Sequence, residues 1–206
     1  MVMNNETKTL RIAENLPGWF SAAECQKLYS ITVISEGAIM EIGHFLGRST
    51  ACICEGLRDS GKVRLFNSYD IAFESEEYFQ SFYKEVHKAD VDSCSLLNKY
   101  VFPYKTNATT VAKSNLAQYD LSKYVNLISG DFSIEDSSMY SMIFCDALHE
   151  PNEIKLNLPH IEERSNKGCI WAFHDMNEEN IEMVLSMSKY SKLIDVVDSL
   201  GVFIYQ

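Results

Sequence analysis

Gly37-Ala38-Ile39-Met40-Glu41-Ile42-Gly43-His44-Phe45-Leu46-Gly47-Arg48-Ser49-Thr50 is an apolar run that meets a carboxylate, turns at two glycines and ends in a helix start. Ala38, Ile39, Met40 and Ile42 lack a 3.6-residue period, which predicts a strand buried on both faces of a parallel sheet. Glu41 breaks that run. A carboxylate near the end of a buried strand is costly without a partner, so it points to a polar ligand at the strand's carboxyl end. Gly43 and Gly47 permit a tight turn and close approach of a bound molecule to the backbone. Ser49 and Thr50 are expected to cap a helix from Ala51 to Leu57, whose first N–H groups stay free for a carboxylate or hydroxyl. The spacing is G-x-x-x-G, not the G-x-G-x-x-G of dinucleotide-binding turns, and taken alone it also fits a plain strand-to-helix turn.

Around this stretch lie 206 residues, 46% hydrophobic and 23% charged, enough for one α/β domain over residues 1–206 and too few for two full ones. The formal net charge of −11 and the lack of a Lys/Arg cluster argue against a nucleic-acid partner, because phosphate contact needs a basic face. No apolar run is long enough to cross a bilayer, and Met1 to Thr9 lacks the basic-then-apolar order of a signal peptide, so no membrane partner and a cytoplasmic location are expected. Cys52, Cys54, Cys145 and Cys169 sit in apolar segments and read as buried thiols of a reducing compartment; Cys52-x-Cys54 has the wrong spacing for a zinc site.

In chain order, residues 1–14 are polar and expected to fray. Ser21 with Glu24 forms a capping box that opens a helix over about 21–33, and Trp19 and Phe20 before it either line a pocket or anchor that helix. Lys62 to Asp70 reads as a second strand, with Asp70 at its tip, where doubly wound folds place an acid against ribose hydroxyls. Residues 74–110 exceed a single crossover and carry an aromatic-rich amphipathic helix over Glu76 to Val86; this insertion reads either as a lid that shapes a pocket or as an oligomer contact. Val111 to Tyr119 reads as a helix and Val125 to Ser129 as the third strand, followed by Gly130-Asp131-Phe132. Ser141 to Cys145 makes a fourth strand tipped by Asp146, with His149 three residues on. Cys169 to Phe173 makes a fifth, tipped by His174-Asp175, so two strand ends aim Asp146, His149, His174 and Asp175 at one place. A helix over Glu178 to Met187 precedes two strands, Leu193 to Val197 and Val202 to Tyr205, joined by a tight turn, so the last strand should run antiparallel.

Glu41-Ile-Gly-His-Phe-Leu-Gly-Arg-Ser-Thr50 resembles the first motif of class I S-adenosylmethionine (SAM) dependent methyltransferases, in the branch reading E-I-G-x-F-x-G-x-S-T. The resemblance covers about residues 16–206 apart from the insertion. It implies a Rossmann-like seven-stranded sheet of order 3-2-1-4-5-7-6, with strand 7 antiparallel and helices on both faces. It also implies SAM as cofactor, with Glu41, Gly43, His44, Phe45, Gly47 and Ser49 around the methionine part, Asp70 on the ribose, Gly130, Asp131 and Phe132 at the adenine, and Asp146 facing the crevice. D-x-x-H and F-H-D are similar to motifs of a branch that includes sugar and small-molecule O-methyltransferases, some of which hold Mg²⁺. Asp146 and Asp175 match that metal set, whereas His174 stands where a hard oxygen ligand is expected. His149 or His174 acts either as the base for an acceptor hydroxyl, with Asp175 beside it, or as a brace for a strand end. Methyl transfer to a hydroxyl of a small molecule or sugar is the activity implied; a non-catalytic SAM-fold binding module and a nicotinamide-dependent oxidoreductase are the alternatives.

Overall fold

The computed structural model describes residues 11–86, 94–135 and 137–206. Its elements run α1 (Arg11–Asn15), α2 (Ala22–Ile34), β1 (Ile39–Ile42), α3 (Arg48–Ser60), β2 (Phe66–Asp70), α4 (Glu76–Val86), α5 (Ser95–Tyr100), α6 (Ala108–Ala117), β3 (Asn126–Ser129), α7 (Phe132–Glu135), β4 (Tyr140–Cys145), α8 (Pro151–Glu163), β5 (Ser165–Phe173), α9 (Glu178–Met187), β6 (Ser191–Val197) and β7 (Leu200–Tyr205). The seven strands form one sheet of order β3-β2-β1-β4-β5-β7-β6. β3, β2, β1, β4 and β5 pair in parallel, and β7 is antiparallel to both β5 and β6. This is the order and the strand reversal that the resemblance implied.

Strand alternation divides the core. Ile39 packs with α2 and α3 in one cluster, whereas Met40 and Ile42 pack in another with α8 and α9 on the opposite face. Trp171 on β5 is fully buried, and its indole N–H is satisfied by the Ser165 hydroxyl at 2.7 Å. A third cluster packs Phe79, Leu97 and Val101 of the inserted segment against Leu46 in the turn between β1 and α3.

Three local expectations need correction. Residues 11–14 belong to a helix that buries Ala13, so the docked part of the chain starts earlier than its polarity suggests; residues 1–10 lie outside the described residues. The helix after the glycine turn begins at Arg48 rather than Ala51 and is N-capped by Gly47 at φ 94°, with no side-chain cap. Ser49 and Thr50 therefore lie in its first turn, where their hydroxyls face inward to Glu41 rather than back to the helix end. The Ser21/Glu24 capping box is present at the start of α2. Among the described residues no helix is long and apolar enough to cross a membrane, and all six cysteines are free and buried.

Candidate active site

Parallel pairing brings the carboxyl ends of β1, β2, β3, β4 and β5 to one edge of the sheet, and the residues that follow each strand frame a cavity of about 660 Å³. Gly43, Phe45, Asp70, Gly130, Asp131, Phe132, Asp146, His149, His174 and Asp175 all line it. That volume lies within the range of small-molecule and cofactor pockets.

Backbone strain collects at this edge. Phe45, Ala72 and Asp175 adopt φ of 44°, 56° and 57°, a region that non-glycine residues rarely enter. The first two turns converge on Asp70: its Oδ2 accepts the Phe45 N–H at 2.7 Å and its Oδ1 the Ala72 N–H at 2.6 Å. Asp70 is thereby fixed as an acceptor facing the cavity. At Gly43 a Cβ would sit 2.8 Å from the Asp146 carbonyl oxygen, at φ 88°, so glycine lets the β1 turn lie against the β4 turn.

Glu41 does not reach the cavity. It lies on the strand face that meets α3, is wholly buried, and accepts hydrogen bonds from Ser49 and Thr50 at 2.7 Å and from Ser68 at 2.6 Å. Burial, only partly offset by those hydroxyls, pushes its carboxyl up to about 7. The partner that a buried acid requires is thus internal, not a ligand. Gly47 and Ser49 likewise stand behind the turn. His44 is buried between Ser68 Oγ at 3.0 Å and Thr109 Oγ1 at 2.9 Å. Because the Ser68 hydroxyl hydrogen goes to Glu41, His44 donates from Nδ1 and accepts at Nε2, tying the β1 turn to α6. Burial pushes its pKa down. Of the proposed methionine-side residues, Gly43 and Phe45 face the cavity while Glu41, His44, Gly47 and Ser49 brace the wall behind it.

The histidines part company. His174, only 7% exposed, has Nδ1 2.9 Å from Asp146 Oδ1 and 3.5 Å from Asp175 Oδ2, and Nε2 3.5 Å from Glu24 Oε1. Burial opposes its charge, but those three carboxylates outweigh it and raise the pKa to about 12. With both nitrogens facing carboxylates, His174 ties the tip of β5 to Asp146 and to Glu24 of α2, the geometry of the strand-end brace. His149 is placed otherwise. Its Nδ1 lies 3.1 Å from Glu153 Oε2, leaving Nε2 facing Asp146 at 3.7 Å and Asp175 at 3.6 Å. Burial again opposes the charge, and Glu153 with both aspartates carries the pKa up to about 9. Ligand atoms of Asp146, His149 and Asp175 lie within 4.8 Å of one another, with one imidazole nitrogen replacing the third oxygen of an all-carboxylate set.

Glu24, Glu153 and Tyr83 escaped the sequence reading as site residues. Glu153 follows His149 by four positions on a helix start, a spacing that carries a signal; Glu24 was legible only as a cap. Trp19, more than half exposed, stacks on Phe45 at 5.1 Å over the mouth, so it lines the pocket, whereas Phe20 is buried with its ring 5.0 Å from that of His174.

A family model described as a methyltransferase domain matches residues 40–176, more than half of the chain. The chain belongs to that family. It is a class I SAM-dependent methyltransferase by fold and family. Among solved structures, an O-methyltransferase of Bacillus cereus in complex with S-adenosylhomocysteine (SAH) is 16% identical, with a TM-score of 0.59 over 100% of this chain and 94% of that one. A Klebsiella pneumoniae protein provisionally described as an O-methyltransferase is 15% identical, with a TM-score of 0.59 over 95% of this chain and 87% of that one. TrmN of Thermus thermophilus is 11% identical, with a TM-score of 0.62 over 97% of this chain and 53% of that one. At these identities the likeness is one of fold. No curated protein sequence matches the chain.

Proposed function

We propose that this methyltransferase moves the methyl group of SAM to a hydroxyl oxygen of a small-molecule acceptor, with a divalent cation held by Asp146, His149 and Asp175. One observation carries the reading: across a single cavity, the strand-tip acid Asp70 faces one end and the Asp146/His149/Asp175 group the other. Asp70, already oriented by two backbone N–H groups, retains lone pairs for ribose hydroxyls, and Gly130, Asp131 and Phe132 border the space beyond it for adenine. Gly43 leaves the backbone bare beside the methionine part.

The donor set fits a cation. Two carboxylates and an imidazole converge, and Glu153 holds Nδ1 so that Nε2 is the nitrogen presented, the arrangement in which a carboxylate orients a metal-bound histidine. A mixed oxygen and nitrogen set suits Mn²⁺ or a similar ion as well as Mg²⁺. When bound, such a cation supplies positive charge that makes a nearby hydroxyl easier to deprotonate. His174 keeps Asp146 in place, and the enclosing walls align acceptor and methyl donor, which supplies much of the rate for a displacement of this kind. A covering role for the 74–110 segment is part of the reading: its Phe79, Phe82, Tyr83 and Cys94 line the cavity, and residues 87–93 lie outside the described residues.

Calorimetry with SAH and with NAD is the primary test. SAH binds and NAD does not; the reverse result favours an oxidoreductase and refutes the proposal. With methyl-labelled SAM and a panel of small hydroxyl compounds, turnover stops on chelation and returns with Mn²⁺ or Mg²⁺. Turnover unaffected by chelation removes the metal from the scheme, and SAH binding without any turnover favours a binding module.

A further inference from the structure

Two turns carry the proposed cation ligands. Asp146 and His149 belong to the turn after β4, and Asp175 to the turn after β5. Strand pairing joins these segments as far as the His174 N–H, which donates to the Cys145 carbonyl at 3.0 Å. Beyond it they part, residues 147–150 toward α8 and residues 176–177 toward α9. Asp175 itself sits at φ 57°, a strained conformation that persists only where the surroundings over-determine it.

Asn180 closes that gap. It lies in the first turn of α9 and is 1% exposed; its Nδ2 donates to the His149 carbonyl at 3.1 Å and to the Asp175 carbonyl at 3.0 Å. Two carbonyl oxygens can both be satisfied only by the NH₂ side of an amide, so chemistry settles which way the group faces. The helix start explains why it reaches them. Asn177 caps α9, its Oδ1 accepting the Asn180 N–H at 2.8 Å, and helix side chains lean toward the N-terminus, over the chain that enters the helix. The other flank of Asp175 is held as well, since the Met176 N–H donates to the Ser199 carbonyl at 2.9 Å. The β4 turn is anchored from α8, where Asn157 Nδ2 donates to the Ala147 carbonyl at 3.1 Å and Glu153 accepts the His149 N–H at 2.8 Å. Asn180 spans both turns. A donor set binds an ion well when its members are held within about 0.5 Å of their required places, which makes the backbone beneath the ligands part of the site.

We propose that Asn180 is a positioning residue for the cation: one buried amide, bonded to the backbone beneath His149 and Asp175, sets the spacing of the two turns and hence the distances among the three ligands. This rests on the cation site of the proposed function and deepens it. Asn180 acts through two peptide carbonyls, not on the ion itself.

The test compares Mn²⁺ affinity by electron paramagnetic resonance with SAH affinity by calorimetry in the full chain, for wild type, Asn180→Leu, Asn180→Ala and Val184→Ala. Leucine keeps much of the volume and removes both donors; alanine removes them and decides the matter where leucine disturbs SAH binding. Val184 is fully buried on the same helix, so its truncation loosens α9 without removing the clamp. The Asn180 variants lose Mn²⁺ affinity by roughly 10-fold or more and keep SAH affinity within about threefold, while Val184→Ala keeps both. Unchanged Mn²⁺ affinity in the Asn180 variants, joint loss of Mn²⁺ and SAH binding in both of them, or an equal Mn²⁺ loss in Val184→Ala would each overturn the inference and leave the methyltransferase reading standing. A wild-type chain that binds SAH but no Mn²⁺ removes the cation, and the inference with it.

Discussion

Replacing Glu24 by glutamine removes one charge and almost no volume from the junction of α2 with the site. Glu24 is buried; its Oε2 accepts the Ser21 N–H at 2.7 Å, and its Oε1 accepts the Ser199 N–H at 3.0 Å and hydroxyl at 2.7 Å while facing His174. Burial by itself would raise the carboxyl, but His174, Ser21 and Ser199 together lower it from 4.5 to about 2. A depressed acid stabilises the fold at pH values above its unfolded pKa, and that contribution fades as pH falls toward the folded one. The difference corresponds to about 3 kcal/mol at pH 7 and about 1 kcal/mol at pH 3. The same energy is shared with His174, so it is counted once. Urea unfolding of wild type and Glu24→Gln at the two pH values reads it directly: the variant is less stable by up to about 3 kcal/mol at pH 7, and the gap narrows by roughly 2 kcal/mol at pH 3. A gap that stays constant between pH 7 and pH 3 would refute the pairing of Glu24 with a charged His174.

Gly43→Ala places a Cβ 2.8 Å from the Asp146 carbonyl at a positive φ, and should cost on the order of 2–4 kcal/mol in urea unfolding while also weakening SAH binding. Asp70→Ala removes the acceptor of two backbone N–H groups and the proposed acceptor for the ribose; SAH affinity by calorimetry falls at least tenfold, roughly the loss of one charged hydrogen bond. Asp175→Ala, by contrast, lowers turnover and leaves SAH affinity within about threefold. Glu153→Gln replaces the carboxylate at His149 Nδ1 by a neutral amide, and Mn²⁺ affinity measured by electron paramagnetic resonance drops roughly 10-fold or more; unchanged affinity would refute the role of the Glu153 charge in orienting His149.

Local pattern carried far into this protein. Alternating short apolar runs and amphipathic stretches, the Ser21/Glu24 capping box and the tight turn after Val197 are properties of neighbouring residues, and they mark the elements and the reversed last strand, whereas the order of the seven strands came only with the family resemblance of the Glu41–Thr50 motif. The acids and histidines at strand tips were legible for the same reason, since parallel strands deliver their carboxyl ends to one edge. Boundaries were less so: α3 starts three residues earlier than its apolar part, because Gly47 at positive φ can begin a helix that no side chain caps.

Which tip residues look into the cavity was decided elsewhere. Glu41 and Asp70 are both acids near the ends of buried strands, and because Glu41 pairs with Ser68, two residues before Asp70, they share one face of the sheet; Asp70 stands at the tip of β2, whereas Glu41 lies one pleat deeper, where Ser49, Thr50 and Ser68 await it. His149 and His174 are both strand-end imidazoles beside aspartates. Only packing sets Glu24, from a helix near the start of the chain, against one of them and Glu153 against the other, so that the first has carboxylates at both nitrogens and the second turns Nε2 toward Asp146 and Asp175. Residue order carries hydrophobic period, caps and turns because these are written in adjacent positions; the protonation and direction of a buried group depend on partners that only the folded chain brings within a few ångströms.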